Sequence, residues 1–260
     1  MVVWPGAAHP DPMLFTKAFT SQALAAKLES LVDLSTEERS SLGALPIRQV
    51  DVPAGELICR AGDQLSSCFI VLEGFVSLSK ETAAGTRQIT AFALPGDMPD
   101  LLGLHLKVAN HDLAAITPCR LASVEHSDLR SLCRTFPAIA EALWTSTLVA
   151  GSVFEEWVVN VGSRKATSRL AHLFCEMMTR LEALGLARND VCDLPLTQVH
   201  LAEATGLSRI HVNRSLQELR KQELITYTNG RLTIHDRTGL AQMGQFDPDY
   251  LHVPRPGWRT

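Results

Sequence analysis

The sequence has no C-x-x-C pair, no run of 18 apolar residues, and no basic flank leading into an apolar stretch at its start. Each absence removes a class. Six scattered cysteines (Cys59, Cys68, Cys119, Cys133, Cys175 and Cys192) make no disulfide framework, so the thiols are expected to be reduced and the protein cytoplasmic. Without a long apolar run no membrane span is expected, and without the basic flank no secretory signal. His105, His111 and His126 stand apart with no H-x-H…E…H spacing, so neither a metal nor a cofactor is expected. No Ser-His-Asp or Cys-His arrangement suggests an enzyme.

What is present is an ordinary globular balance: 260 residues, 46% apolar and 20% charged, enough for one large domain or two smaller ones. The net charge of −4 hides an asymmetry. Residues 1–163 carry 11 basic and 18 acidic side chains, whereas residues 164–240 carry 11 and 8. An acidic first part joined to a basic second part suggests that the second part meets a polyanion.

The chain divides by texture. Residues 1–43 comprise a Pro-rich arm (Pro5, Pro10, Pro12) and helices, with Leu24, Leu28, Leu31 and Leu34 at helical spacing and a capping box at Ser35 and Glu38. Over 44–127, short apolar runs are cut by Gly55, Gly62, Gly74, Gly85 and Gly96, the pattern of an antiparallel jelly roll. Over 128–163 the glycines thin out. Phe136, Ala140, Leu143, Thr147, Ala150, Phe154, Trp157 and Val161 recur in steps of 4 and 3, an a/d seam that predicts a helix pairing with a second copy. Residues 164–238 read as helices and a hairpin, and 239–260 as a loose extension.

Leu196 to Glu223 is the most informative stretch. Thr197 is placed to cap a short helix. Small Ala202, then Gly206, then Val212 fit a helix-turn-helix: close crossing, a sharp turn, and a β-branched plug under the second helix. Ser208 can cap that second helix, while Leu216 and Leu219 extend its buried stripe. On the opposite face, Arg209 and Arg214 suit guanine, and Asn213 suits adenine or phosphate. Thr197, Ser208, His211 and Lys221 suit the phosphate backbone. Asn229-Gly230 between two β-rich runs signals a type I′ hairpin, hence a wing after the recognition helix.

This order of parts resembles the CRP/FNR superfamily of bacterial transcription regulators over residues 40–238. The resembling segments are Pro53-Ala54-Gly55-Glu56-Leu57-Ile58, Gly62-Asp63, Gly74-Phe75-Val76-Ser77-Leu78, Gly96-Asp97 and the helix around Arg209, Val212 and Arg214. The resemblance implies an α+β protein: an N-terminal β-roll sensor domain, a long dimerisation helix and a C-terminal winged helix-turn-helix. It implies a homodimer on palindromic double-stranded DNA, controlled by an unknown small-molecule effector at the β-roll. RNA polymerase would be a further partner if the protein activates, although no residue set identifies a surface for it.

The departures from the family are specific. In cyclic-nucleotide-binding members the β-roll carries Gly-Glu-Leu and later Arg-Ser/Thr-Ala. Here the matching positions are Leu101-Leu102-Gly103 and, later, His111-Asp112, with no arginine between Arg87 and Arg120. A cyclic phosphate would face Asp112 without a cation, which costs several kcal/mol (order of magnitude) in a buried pocket. Phe154-Glu155 stand where a Thr-Ser pair would meet adenine. Cyclic AMP is therefore disfavoured. The first cysteine is Cys59, so no N-terminal iron–sulfur ligand set is expected. Many members have Glu where Ile210 stands, so the operator is expected to offer a thymine methyl there. The competing readings are a small-molecule-binding β-roll protein, its sharpest form a cupin-like metalloenzyme, and a winged helix used for protein contact.

Overall fold

The computed structural model describes residues 24–253. The Pro-rich arm expected over residues 1–20 lies outside them. Residues 24–29 are helical, followed by α1 (Thr36–Gly43). Its capping box is complete: the Glu38 amide donates to Ser35 Oγ at 3.3 Å, and the Ser35 amide donates to Glu38 Oε2 at 2.7 Å.

Seven strands build the β-roll: β1 (Ile47–Val52), β2 (Leu57–Cys59), β3 (Ser67–Glu73), β4 (Val76–Glu81), β5 (Arg87–Ala93), β6 (Asp112–Ala115) and β7 (Cys119–Glu125). They form two antiparallel sheets, ordered β1-β7-β3 and β2-β6-β4-β5. Alternation decides what lies between them. Leu113 and Ala115 on β6 and Leu121 on β7 point inward, and with Val71 and Val76 they fill the interior. A short helix, α2 (Gly103–Leu106), lies between β5 and β6.

Two helices follow, α3 (His126–Thr135) and the 27-residue α4 (Pro137–Ser163). Pro137 sits at the start of α4, where its missing N–H costs nothing, and it ends α3 at Phe136. One face of α4 belongs to the protein's own cores. Ile139, Ala142 and Leu143 pack with Ile70 and Leu129, while Trp157 packs against Phe92 with ring centroids 5.7 Å apart.

The expected seam needs correcting on this point. Leu143 and Trp157 are buried within their own chain, and Val161 is half-buried, so the first two already have partners there. The exposed apolar stripe is rotated about one residue around α4: Trp144, Thr147, Leu148, Phe154 and Val158, with Ala150 exposed at its edge. The 3.5-residue spacing straddled two apolar sectors, one for the chain's own cores and one left uncovered.

The third unit starts with α5 (Ala166–Ala183), reached from α4 through two extended residues, Arg164 and Lys165. Then come β8 (Ala187–Arg188), β9 (Val191–Asp193), α6 (Gln198–Thr205), α7 (Arg209–Lys221), β10 (Ile225–Thr228) and β11 (Arg231–Ile234). The four strands form one sheet, β10-β11-β9-β8. The hairpin β8–β9 was not expected from sequence. It turns through Asn189 and Asp190, both at positive φ. The extension expected to be loose is instead ordered up to residue 253: α8 (Arg237–Gly244) and a 3-10 turn (Pro248–Leu251) pack on α4 and α5. Leu240 and Leu251 are buried there.

The β-roll and the third unit share a core. Ile89, Phe92 and Leu94 at β5 lie in one cluster with Phe174, Met177 and Leu201. Among the described residues, no helix is long and apolar enough to cross a membrane.

Gly74, between β3 and β4, is the tightest turn of the roll. Its φ is +93°, and a Cβ would lie 2.6 Å from Pro118 O and 2.7 Å from Cys119 Sγ. Gly74→Ala combines positive-φ strain with backbone overlap. It should cost roughly 3 kcal/mol and lower the thermal midpoint by roughly 10 °C. A midpoint within 2 °C (roughly 0.5 kcal/mol) of the parent protein would refute this.

Candidate nucleic-acid interface

α6 and α7 carry the basic surface. Thr197 caps α6: its Oγ1 accepts from the His200 amide, and its own amide donates to His200 Nδ1, both at 3.2 Å. Gly206 ends α6 in the left-handed region, φ +63°, which reverses the chain without side-chain strain. The Leu207 amide then bonds Ala202 O at 3.0 Å. Ser208 caps α7 by accepting from the His211 amide at 3.3 Å, and its Oγ lies 2.8 Å from His211 Nδ1.

The 3.6-residue period divides α7. Val212, Ser215, Leu216 and Leu219 are buried. Ser208, Arg209, Ile210, His211, Asn213, Arg214 and Lys221 are all exposed, and Ile210 is a large apolar side chain 66% open. Thr197 is exposed at the start of α6. The expected residues are thus all solvent-exposed, with Arg209, Ile210, Asn213 and Arg214 in the first two turns of α7 and Lys221 at its end.

The wing follows directly. β10 and β11 pair in register from Ile225↔Ile234 to Thr228↔Arg231, closed by Asn229 and Gly230 at positive φ. The Tyr227 hydroxyl donates to Leu194 O at 2.9 Å, and the Arg220 guanidinium donates to Tyr227 O. Arg220 therefore fixes the angle between wing and helix, a role that no local pattern reveals because its acceptor is a backbone carbonyl. Asn229 and Arg231 are exposed at the wing tip. A basic residue beside an Asn-Gly turn was the available signal.

The β-roll candidates are more dispersed. Gly103 is buried, with the Leu65 side chain closed over it. Leu101 and Leu102 are half-buried. The Asp112 carboxylate accepts from the Ala61 amide at 2.8 Å. His111 is buried, and burial pushes its pKa down, so it supplies no cation at neutral pH. Phe154 and Glu155 do not join these residues: both are exposed on α4. The gapless match put them there by spacing alone, and within one chain nothing encloses them. Burial pushes all six thiols up, Cys59 to about 11 and Cys175 and Cys192 to about 12, which disfavours the thiolate.

The family model for the cyclic nucleotide-binding domain matches residues 49–136, and that for the Crp-like helix-turn-helix domain matches residues 168–243. The chain is 24% identical over 184 residues to the transcriptional activator protein FnrL of Cereibacter sphaeroides, covering 70% of this chain and 73% of that one. It is 28% identical over 194 residues to the nitrogen fixation regulation protein FixK of Bradyrhizobium diazoefficiens, covering 73% and 78%. The structure of FixK2 from Bradyrhizobium japonicum superposes with a TM-score of 0.70 at 24% identity, covering 76% of this chain and 98% of that one.

Asp100, beside the β-roll candidates, gives the fold a pH signature. It is 1% exposed. Its Oδ1 accepts from the Phe69 amide at 2.8 Å, and its Oδ2 has no partner among the described residues. Burial pushes its pKa up to about 7 from 3.8. The folded state thus holds this proton more tightly than the unfolded chain. Its contribution to stability is full below about pH 4 and lost as pH rises to about 7, on the order of 4 kcal/mol in all. The thermal midpoint of the parent relative to Asp100→Asn should fall across that window, and a flat difference would refute the assignment.

Proposed function

Since the chain belongs to the CRP/FNR superfamily of transcription regulators, we propose that it acts in the cytoplasm as a homodimer on a palindromic DNA site. The single observation that carries the DNA contact is the clean division of α7. One stripe is sealed into the core, while Arg209, Ile210, Asn213 and Arg214 stand fully outward beside a hairpin wing. An α-helix fits the major groove. There Arg209 and Arg214 offer bidentate donors to guanine, while Asn213 can donate from Nδ2 to adenine N7 and accept at Oδ1 from its N6 amine, or donate to a phosphate. Ile210 favours a thymine methyl. Thr197, Ser208, His211 and Lys221 fix the register on phosphates.

The uncovered stripe on α4 supports dimerisation. Trp144, Leu148, Phe154 and Val158 are each at least half exposed in one chain, a large apolar surface to leave to water along one helix. A second copy of α4 covers it and sets two copies of α7 about one helical turn of DNA apart. We take residues 44–127 as the sensor, α4 (Pro137–Ser163) rather than the whole of 128–163 as the dimerisation helix, and 164–238 as the DNA-binding head. Whatever the sensor detects, its chemistry differs from that of a cyclic phosphate. Leu101 and Asp112 occupy the matching positions, and His111 is neutral. Nothing observed favours an enzyme or a protein-binding winged helix, and α7 offers Arg and Asn where the latter would need an apolar face.

The test is fluorescence anisotropy on duplexes selected by the protein from a random pool, across a salt series. Affinity should fall steeply with salt, because each phosphate contact releases counterions. Arg214→Ala should cost about 1–3 kcal/mol and relax preference at one base pair per half-site. Salt-indifferent binding, or none at low salt, would overturn the reading.

A further inference from the structure

The segment after β11 lies against the joint between α4 and α5. That joint is only two extended residues long, and side-chain contacts around it, including Arg164 to Glu156 of α4 and to Gln245 O, must fix the angle between the two helices. The contacts converge on Glu176 of α5, which is 0% exposed. Trp157 Nε1 on α4 donates to its Oε2 at 2.8 Å. The Tyr250 hydroxyl, on the C-terminal 3-10 turn, donates to the same oxygen at 2.9 Å and lies 3.0 Å from His172 Nε2. Arg180 approaches Oε1 at 3.3 Å and reaches across to the β-roll, to Phe92 O at 2.9 Å and Asp97 Oδ2 at 3.0 Å. One carboxylate therefore ties together the dimerisation helix, the DNA-binding head, the sensor and the tail.

We propose that Tyr250 and Glu176 are positioning residues that fix the DNA-binding head on the dimerisation helix, and so determine which half-site spacing the dimer accepts. The proposal rests on the DNA-binding reading above. Apolar packing would hold these elements at least as tightly, since a buried ion network often adds no net stability over a well-packed apolar replacement. What a network of directed hydrogen bonds adds is a single geometry. Two of its donors sit on different elements and share one oxygen, so a rotation of α5 about the joint breaks both together. The tail is fitted to the same spot: a Cβ on Gly244 would lie 2.6 Å from the His172 amide nitrogen, and His172 Nδ1 lies 3.2 Å from Gly244 O. In a dimer, a tilt of each head moves the two copies of α7 apart or together, and one base pair of spacing is only about 3.4 Å.

The test compares the full-length protein with Tyr250→Phe. The variant keeps the ring stacked 5.8 Å from His172 and edge-on to Phe246, and loses only the hydroxyl. Trp157→Phe removes the other donor by an independent route. Anisotropy is read on the palindrome selected by the parent, on palindromes with one base pair inserted or deleted at the centre, and on an isolated half-site. The parent should prefer its own spacing at least about 10-fold over either neighbour. Both variants should shrink that preference to under about 3-fold and weaken binding at the parental spacing, with half-site affinity unchanged. An unaltered spacing preference would overturn the proposal, as would a half-site loss equal to the palindrome loss, or tighter binding at the parental spacing. Failure of the parent itself to bind any palindrome would instead overturn the DNA-binding reading.

Discussion

The buried carboxylate of Glu176 is the constraint on which the arrangement of the molecule depends. A carboxylate taken out of water is costly unless its oxygens are met by donors of good geometry. Burial pushes its pKa up, and Arg180, Trp157 and Tyr250 act against that rise. The donors come from positions 19 residues before it, 4 after it and 74 after it. They cannot all be in place unless α4, α5 and the tail are in place. Arg180 carries the constraint onward to Asp97. Burial also acts to raise the pKa of Asp97, but Lys27 at 3.1 Å and Arg180 at 3.0 Å hold it below the usual carboxylate range. A line of charge thus runs from the first described helix to the base of the DNA-binding head.

That line runs beside an apolar one. β5 gives Ile89 and Phe92 to the core of the head, while its partner β4 faces the interior of the roll. Arg87 at the start of β5 bonds Glu203 of α6 at 2.6 Å, and Gln88 donates to Ala204 O at 3.3 Å. The first helix of the DNA-reading pair is therefore fastened to a sensor strand. The β-roll and the helix-turn-helix pair are thus in direct polar contact, apart from their connection through α4. Arg169 adds a strut within the head, donating to Arg164 O at 2.9 Å and to Thr205 O at 3.0 Å.

The parts visible in sequence were those whose physics is local. Ser35 and Glu38, Thr197, Ser208, Gly206 and the Asn229-Gly230 turn act within about four residues of themselves, so their spacing alone reveals caps and turns. The outward face of α7 was legible because the 3.6-residue period separates it from Val212, Leu216 and Leu219. The apolar face of α4 was legible only as a spacing. Leu143 and Trp157 have the same apolar character whether they meet Ile70, Phe92 or a second copy. Only the three-dimensional packing assigns them to their own chain and leaves Trp144 and Leu148 exposed.

By itself, then, the sequence determined the elements whose caps, turns and periodicity are local, such as α6, α7 and the β10–β11 hairpin, because these follow from neighbours along the chain. Tertiary structure alone decided which apolar sector is inside, that the residues after 240 are ordered as far as 253, and that Asp100 and Glu176 are sealed from water. The reason is that burial belongs to an environment assembled from distant segments. Tyr250 and Trp157 are 93 positions apart, yet they share one oxygen atom of a residue between them. No window read along the chain contains that fact.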